Sequence, residues 1–327
     1  MNSHCKKEMT SSDHKNNEAD ANITFVGLDI SKARLDIHTS GKHREEKNTP
    51  EGHAALIKHL QSLRHPRVIC EATGGYETAI VAALLAADIE VCVVQPARVR
   101  NFANAKGWLA KNDRIDARLL AVFGENIRPR LEVPATPESV RLREMLDYRR
   151  ITSEQITELN NRFELASGYL KEGLEVRIAA LKADLKNVEK ALTAHIAAHP
   201  KLAAKAKRMT QLKGVGPVLA ATVLAYLPEL GKIEDKMVAS LVGVAPHPKD
   251  SGTSKFRRRV AGGRFQVRNV LYMAAISGSR SNPILKTFYD RLRNDKGKPH
   301  KVAIVAVMRK MLVVLNKLLA DPQFSLA

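Results

Sequence analysis

The chain has 327 residues, of which 53 are Lys or Arg and 34 are Asp or Glu, giving a formal net charge of +19. At roughly 100–200 residues per domain this is two domains or three, with enough core to need no disulfide staples. No apolar run approaches the ~18–20 residues of a membrane span, residues 1–24 hold no apolar signal core, and Cys5, Cys70 and Cys92 form neither a CxxC pair nor a zinc pattern, which excludes a secreted, membrane or zinc-finger protein and reads as reduced cytoplasmic thiols.

In chain order, residues 1–22 are polar with almost nothing to bury and are expected to be a disordered leader. Residues 23–135 alternate strand-like and helix-like segments. Residues 23–30 (ITFVGLDI) are β-prone, and 35–39 are a hairpin partner. Residues 52–63 carry Leu56, Ile57, Leu60 and Leu63 at helical spacing. Residues 67–70 predict a buried strand broken by Gly74 and Gly75, 77–87 an Ala-rich helix, and 90–94 a strand stopped by Pro96. Residues 97–105 and 113–126 are helical in pattern. This order predicts an α/β domain opened by a hairpin.

Pro134 and Pro137 mark a linker. Beyond it Leu174, Ile178, Leu181, Leu185, Val188 and Leu192 follow one another at spacings of 4, 3, 4, 3 and 4, a heptad seam. Residues 136–200 are therefore expected to be a helical coiled-coil segment. The seam suits an antiparallel helix pair or a self-associating coiled coil, and spacing does not choose between them. Residues 201–327 are helix-rich, interrupted by a Gly- and Pro-punctuated segment at 243–263 and closed by an amphipathic helix at 302–319. The expected fold class is α/β plus α.

Charge is unevenly spread. Residues 171–327 carry 29 basic and 11 acidic residues, against 21 and 19 in residues 25–170. The density is highest at Lys255, Arg257, Arg258, Arg259, Arg264 and Arg268. A charge run is ordinarily a solvated face, but a half-chain of one sign points to phosphate contacts and a steep salt dependence. Aromatics are 5% of the chain, which leaves base stacking a minor role.

Four carboxylates stand out by context. Asp29 ends the first strand, Glu71 ends a central one, and Asp113 and Asp116 lie at i and i+3 on a helix, sharing a face. Such groups need a cation or a donor. Converging, they make an all-oxygen site suited to Mg²⁺ or Mn²⁺. Two such ions about 3.5–4 Å apart stabilise the attacking and leaving oxygens of a phosphodiester. Each also has a structural explanation: Asp113 as a helix N-cap, Asp116 in the first turn, Glu71 as acceptor for the N–H groups of the Gly74–Gly75 turn. Asp36, one strand out, and Glu77, at a helix turn, are the neighbouring decoys.

Val26-Gly27-Leu28-Asp29-Ile30-Ser31-Lys32, Glu71-Ala72-Thr73-Gly74 and Asp113-Arg114-Ile115-Asp116-Ala117 resemble the Asp-Glu-Asp-Asp signature of the insertion-sequence transposase family numbered one hundred and ten. The likeness continues through Leu212-Lys213-Gly214-Val215-Gly216-Pro217, Leu241-Val242-Gly243-Val244-Ala245-Pro246, Asp250-Ser251-Gly252-Thr253-Ser254 and Arg268-Asn269-Val270-Leu271-Tyr272-Met273. It implies a RuvC-like, RNase H-like domain at 23–135 with Asp29, Glu71, Asp113 and Asp116 as metal-holding catalytic residues. It implies a C-terminal transposase domain at 201–327 in which Ser251 is the nucleophile. It also implies a recombinase acting on donor and target DNA, guided by a structured bridge RNA, in a prokaryotic cytoplasm close to the nucleoid.

On the residues alone Ser251 is also an ordinary turn serine before glycine, with Thr253 and Ser254 as rival hydroxyls. Lys213, Gly214 and Gly216 resemble a helix-hairpin-helix turn whose N–H groups meet phosphate; a plain helix connection fits equally. His195 and His199 are i, i+4 but lack a third ligand. Cutting several strands together favours a homo-oligomer, a dimer or tetramer, with the 174–192 seam as the expected interface. The alternatives are a junction nuclease using activated water and a non-catalytic basic binding protein.

Overall fold

Along β1 (Thr24–Ile30) the side chains of Val26, Leu28 and Ile30 alternate with Phe25, Gly27 and Asp29, so the two faces of the strand differ. The computed structural model describes residues 22–108, 113–246, 260 and 262–326. β1 lies at the centre of a sheet with β2 (Arg34–Thr39), β3 (Lys42–Lys47), β4 (Pro66–Glu71) and β5 (Glu90–Val94), in the order β3-β2-β1-β4-β5. β1, β2 and β3 pair antiparallel; β4 and β5 join parallel to β1. The strand expectation omitted β3. Its sequence KHREEK has no apolar period, and charged residues are what an exposed edge strand carries to resist further pairing.

Two layers of helix cover the sheet. Val26, Leu28, Val68, Cys70 and Val91 pack against Leu56 and Leu60 of α1 (Pro50–Gln61) and Ile80 and Leu84 of α2 (Thr78–Ala86). On the other face Phe25, Ile69, Cys92 and Val94 pack against Val99 and Ala103 of α3 (Pro96–Ala105) and Leu120 and Phe123 of α4 (Asp113–Ile127). α1 starts where the sequence says a helix should: Thr49 caps it, Pro50 fills the first turn and Glu51 faces the positive helix end.

This first unit ends at Pro134 and the second begins at Ala135. The second is helical in its described residues. α5 (Pro137–Leu165) and α6 (Gly168–Ala198) form an antiparallel hairpin joined through Ala166 and Ser167. Leu174, Ile178, Val188 and Leu192 of the heptad seam are buried on α6. Arg149 reaches Glu189 at 2.7 Å, and Tyr148 hydrogen-bonds Asp184. The seam is thus closed by α5 of the same chain, which corrects its expected use as an interface between copies. Leu142, Leu146, Leu192 and Ile196 share one core with α7 (Pro200–Met209), α8 (Pro217–Tyr226), α9 (Asp235–Val242), α10 (Phe265–Ser281), α11 (Pro283–Asp290) and α12 (His300–Ala320). Residues 136–200 and 201–327 therefore belong to one unit. No helix among the described residues is long and apolar enough to cross a membrane.

Candidate active site

Asp29 and Glu71 each stand one residue beyond Leu28 and Cys70, a matched pair in the parallel β1–β4 register. Alternation puts both on the face that carries Phe25 and Ile69, the face covered by α4. Two acids at adjacent strand ends on one face is what the sequence pattern required. Asp29 also pairs directly with Asp36 across β1 and β2. Asp36 was read as a decoy, yet opposed residues share a face, so it belongs to the same acidic corner. It is buried, and its Oδ1 lies 2.8 Å from His43 Nε2. Like charges directly opposed destabilise a sheet, and His43 offsets part of that cost. The signal was available: once residues 31–34 turn the hairpin, 29 must meet 36.

Glycine brings α4 to this corner. A Cβ on Gly27 would collide with the Ala117 carbonyl oxygen and stand 2.6 Å from the Ala121 nitrogen. On Gly124 it would stand 2.5 Å from Ile69 Cγ1 and 2.8 Å from Phe25 Cδ1. Gly124 thus lies over Phe25 and Ala117 over Gly27, so helix and strand run in opposite directions with backbones touching. From Ala117 back to Asp113 is about 6 Å of helix, and from Gly27 on to Asp29 is about 6.6 Å of strand. The start of α4, with Asp113 and Asp116, therefore comes level with Asp29. The Asp113 side chain lies outside the described residues. Among the described residues, no three His, Cys, Asp or Glu side chains are close enough to hold a metal. The donor chemistry of the corner, carboxylate oxygen throughout, still suits a hard divalent cation.

Two further titratable groups lie on or next to the elements that carry the corner. Glu77 accepts from the glycine turn: its Oε2 takes the Thr73 N–H at 3.1 Å, the Thr73 hydroxyl at 2.7 Å and the Gly75 N–H at 2.8 Å. Partial burial alone would raise its pKa, but these donors outweigh that and hold it below the ordinary carboxylate value. Gly74 and Gly75, at φ +80° and +130°, make the turn possible. His38 sits opposite Gly27 on the same face. Burial, and then the Arg118 cation, lower its pKa below the ordinary imidazole value.

In the second unit Ser251, Lys255, Arg257, Arg258 and Arg259 lie outside the described residues. The residues on either side are held tightly. Gly243, at φ +75°, ends α9 in the left-handed cap, and Gly263 packs on it backbone to backbone. The Arg264 N–H donates to Leu241 O at 2.8 Å. Expected to meet phosphate, the Arg264 guanidinium instead clasps buried Glu229 through two bonds of 2.5 and 2.7 Å. Arg268 donates to Gly262 O. Gly214 packs against Gly278 of α10, where a Cβ would stand 2.8 Å from the Gly278 Cα. Gly216 caps α8 with open space around it, and both glycines line a cavity of about 830 Å³. His195 Nε2 donates to Glu138 O at 3.0 Å and His199 Nδ1 to His195 O at 2.7 Å, so both serve the hairpin base.

An acidic corner at strand ends in one unit and a basic helical second unit fit the class of DEDD transposases, which the family matches establish. Residues 26–166 match the DEDD transposase model of the IS110 type, and residues 206–290 match the model described as "Transposase IS116/IS110/IS902 family". The chain belongs to the IS110 transposase family, and it is accordingly a DNA-processing enzyme. Pilin gene-inverting proteins of Moraxella lacunata and Moraxella bovis are each 26% identical over 303 residues, 89% of this chain and 94% of theirs. The "Insertion element IS110 uncharacterized 43.6 kDa protein" of Streptomyces coelicolor is 29% identical over 149 residues, 45% of this chain and 36% of that one.

Proposed function

We propose that the chain is an RNA-guided DNA recombinase that excises and inserts an insertion sequence through a covalent phosphoserine intermediate. The observation that carries the reading is the shared face of Asp29 and Glu71 with the start of α4 overhead. The strand order supports an RNase H-like, RuvC-like first unit. Asp29, Glu71, Asp113 and Asp116 would hold Mg²⁺, or Mn²⁺ in its place. Held by these carboxylates, a divalent ion would supply charge neutralisation at a phosphodiester.

Ser251 is the proposed nucleophile. Its Oγ forms a bond to phosphorus, the bond from phosphorus to the strand's leaving oxygen breaks, and the serine proton passes to solvent or a nearby base. The leaving strand end is protonated in turn. Lys255, Arg257, Arg258 and Arg259 would hold the phosphate, and Lys213, Gly214 and Gly216 would meet the DNA backbone. The relatives named for inverting a pilin gene favour this chemistry. Inversion cuts and rejoins strands, and a covalent ester keeps the bond energy that water attack would discard. Exchange needs several strands cut together, so the active assembly holds more than one copy. Base pairing by a guide RNA would supply target choice.

The test is a covalent trap. Wild type and Ser251→Ala are incubated with Mg²⁺, end-labelled junction and target DNA and RNA transcribed from the gene's flank. A DNA–peptide adduct at Ser251, absent from the variant, is expected. Cleavage without an adduct in either protein would replace this reading with a water-using nuclease.

A further inference from the structure

The second unit contains a basic stretch outside the residues assigned to the DEDD corner and the serine segment. Residues 283–310 carry eight cations (Lys286, Arg291, Arg293, Lys296, Lys298, Lys301, Arg309 and Lys310) and two acids, Asp290 and Asp295. They span α11, a π-helical turn at Arg291–Asp295 and the start of α12. None of the eight forms an ion pair among the described residues, although Arg293 donates to Lys298 O at 2.6 Å, whereas five arginines elsewhere in the unit are paired with carboxylates. Arg141 meets Glu144, Arg150 meets Glu154, Arg162 meets Glu158 and Arg264 meets Glu229. Arg208 is held by four carbonyls of the C-terminal segment.

Within this surface two cations converge. Arg291 Cζ stands 5.5 Å and Lys310 Nζ 4.7 Å from the centre of the Phe288 ring. Together with Pro283, Ile284 and Thr287 they line an open cavity of about 410 Å³. The ring attracts each cation, but it does not cancel the repulsion between them. A bound anion does. The first turn of α11 opens at the same place, but Asn282 already accepts from the Ile284 and Leu285 N–H groups at 3.0 and 3.3 Å. Side chains, not the helix end, therefore define the site. Phe288 is half-buried and already holds two cation contacts, so recognition is assigned to phosphate rather than to base stacking.

We propose that the Phe288 cavity, through Arg291 and Lys310, binds the phosphate backbone of a nucleic acid, with Arg293, Lys296, Lys298 and Lys301 extending the contact. The proposal rests on the reading of the chain as a nucleic-acid enzyme, and its test measures binding alone, so its failure leaves the Ser251 adduct untouched. Full-length wild type and Arg291→Gln/Lys310→Gln are titrated, by fluorescence anisotropy at several KCl concentrations, against a random 30-bp duplex and against the flank-derived RNA. The expected result is about a tenfold loss of affinity for at least one probe, with the slope of log K on log salt falling by about 1.4–1.8, the value for two lost phosphate contacts. Loss on the duplex alone assigns the phosphate to DNA, and loss on the transcript alone assigns it to RNA. The charge-matched control Arg141→Gln/Arg162→Gln, which removes already paired cations, is expected to change little. Should the first variant fail to fold, Lys296→Gln/Lys298→Gln, both exposed, reads the same slope. Affinities and slopes that match the control on both probes would overturn the site.

Discussion

In the sheet unit, chemistry-bearing residues are placed by register: Asp29, Asp36 and Glu71 share a face because three strands pair at fixed offsets. In the helical unit they are placed by turns and caps, and the described residues around the serine segment are held by Gly243, Gly263 and the Glu229–Arg264 clasp. The two units also treat charge differently. The first places acids on one face; the second pairs five of its arginines with carboxylates and leaves the cations of residues 283–310 without an ion pair among the described residues. Both use glycine for the same reason, wherever backbone must touch backbone. Register is set by every pairing along a strand, so one substitution seldom moves it. A loop frame hangs on a few contacts and is correspondingly easier to break.

The largest expected effect comes from the acidic corner. Asp29→Asn, Glu71→Gln and Asp116→Asn should each lower strand cleavage by about 10²–10³-fold or more while circular dichroism stays that of wild type. Activity that survives all three would remove the corner from the mechanism. Next comes the contact that carries α4. Gly27→Ala should destabilise by about 3 kcal/mol or more in urea unfolding, because the added Cβ meets backbone that cannot yield. Gly216→Ala, with open space around it, should stay within about 0.5 kcal/mol. Equal losses at the two positions would break the argument from close approach.

In the helical unit Leu192→Ala should cost about 2–5 kcal/mol, as a core residue does. Leu170→Ser at the exposed hairpin tip should change stability by about 0.5 kcal/mol or less. Glu229→Gln should cost about 1.5–3 kcal/mol by loosening a charge-assisted pair whose arginine is partly solvated. A smaller effect concerns Glu77. Its folded pKa lies below its unfolded one, so its stabilisation is full above the ordinary carboxylate value and is lost as pH falls through the lowered one. The stability gap between wild type and Glu77→Gln should therefore be flat near neutrality and close in acid. The smallest effect is at the thiols. Burial pushes the Cys92 thiol up to about 12 and raises Cys70 as well. In a Cys5→Ser chain, disulfide-exchange reagents should label neither until the sheet unit opens, which separates its unfolding from that of the helical unit.

Much of the sheet unit was legible because each element carried its own period. Residues 23–30, 67–70 and 90–94 read as strands, and 113–126 as a helix, within two residues of their observed bounds. β3 was not legible, because a polar edge strand has no apolar face to signal it. Asp36 and Glu77 were read as decoys because their roles depend on partners distant in sequence or on a turn geometry that residue type does not encode. The heptad seam was legible as a seam but not as an intramolecular one. Leu174 and Leu192 look alike whether α5 or a second copy covers them.

The sequence by itself determined the class of protein, the order of its elements and the residue types of the acidic corner. Local propensity, hydrophobic period and motif order are properties of short stretches. Only the tertiary structure decided which acids share a face, which arginines are already paired, and that α4 reaches β1 through Gly27 and Gly124. Those outcomes depend on pairing offsets and interatomic distances between residues far apart in the chain, which no local pattern contains.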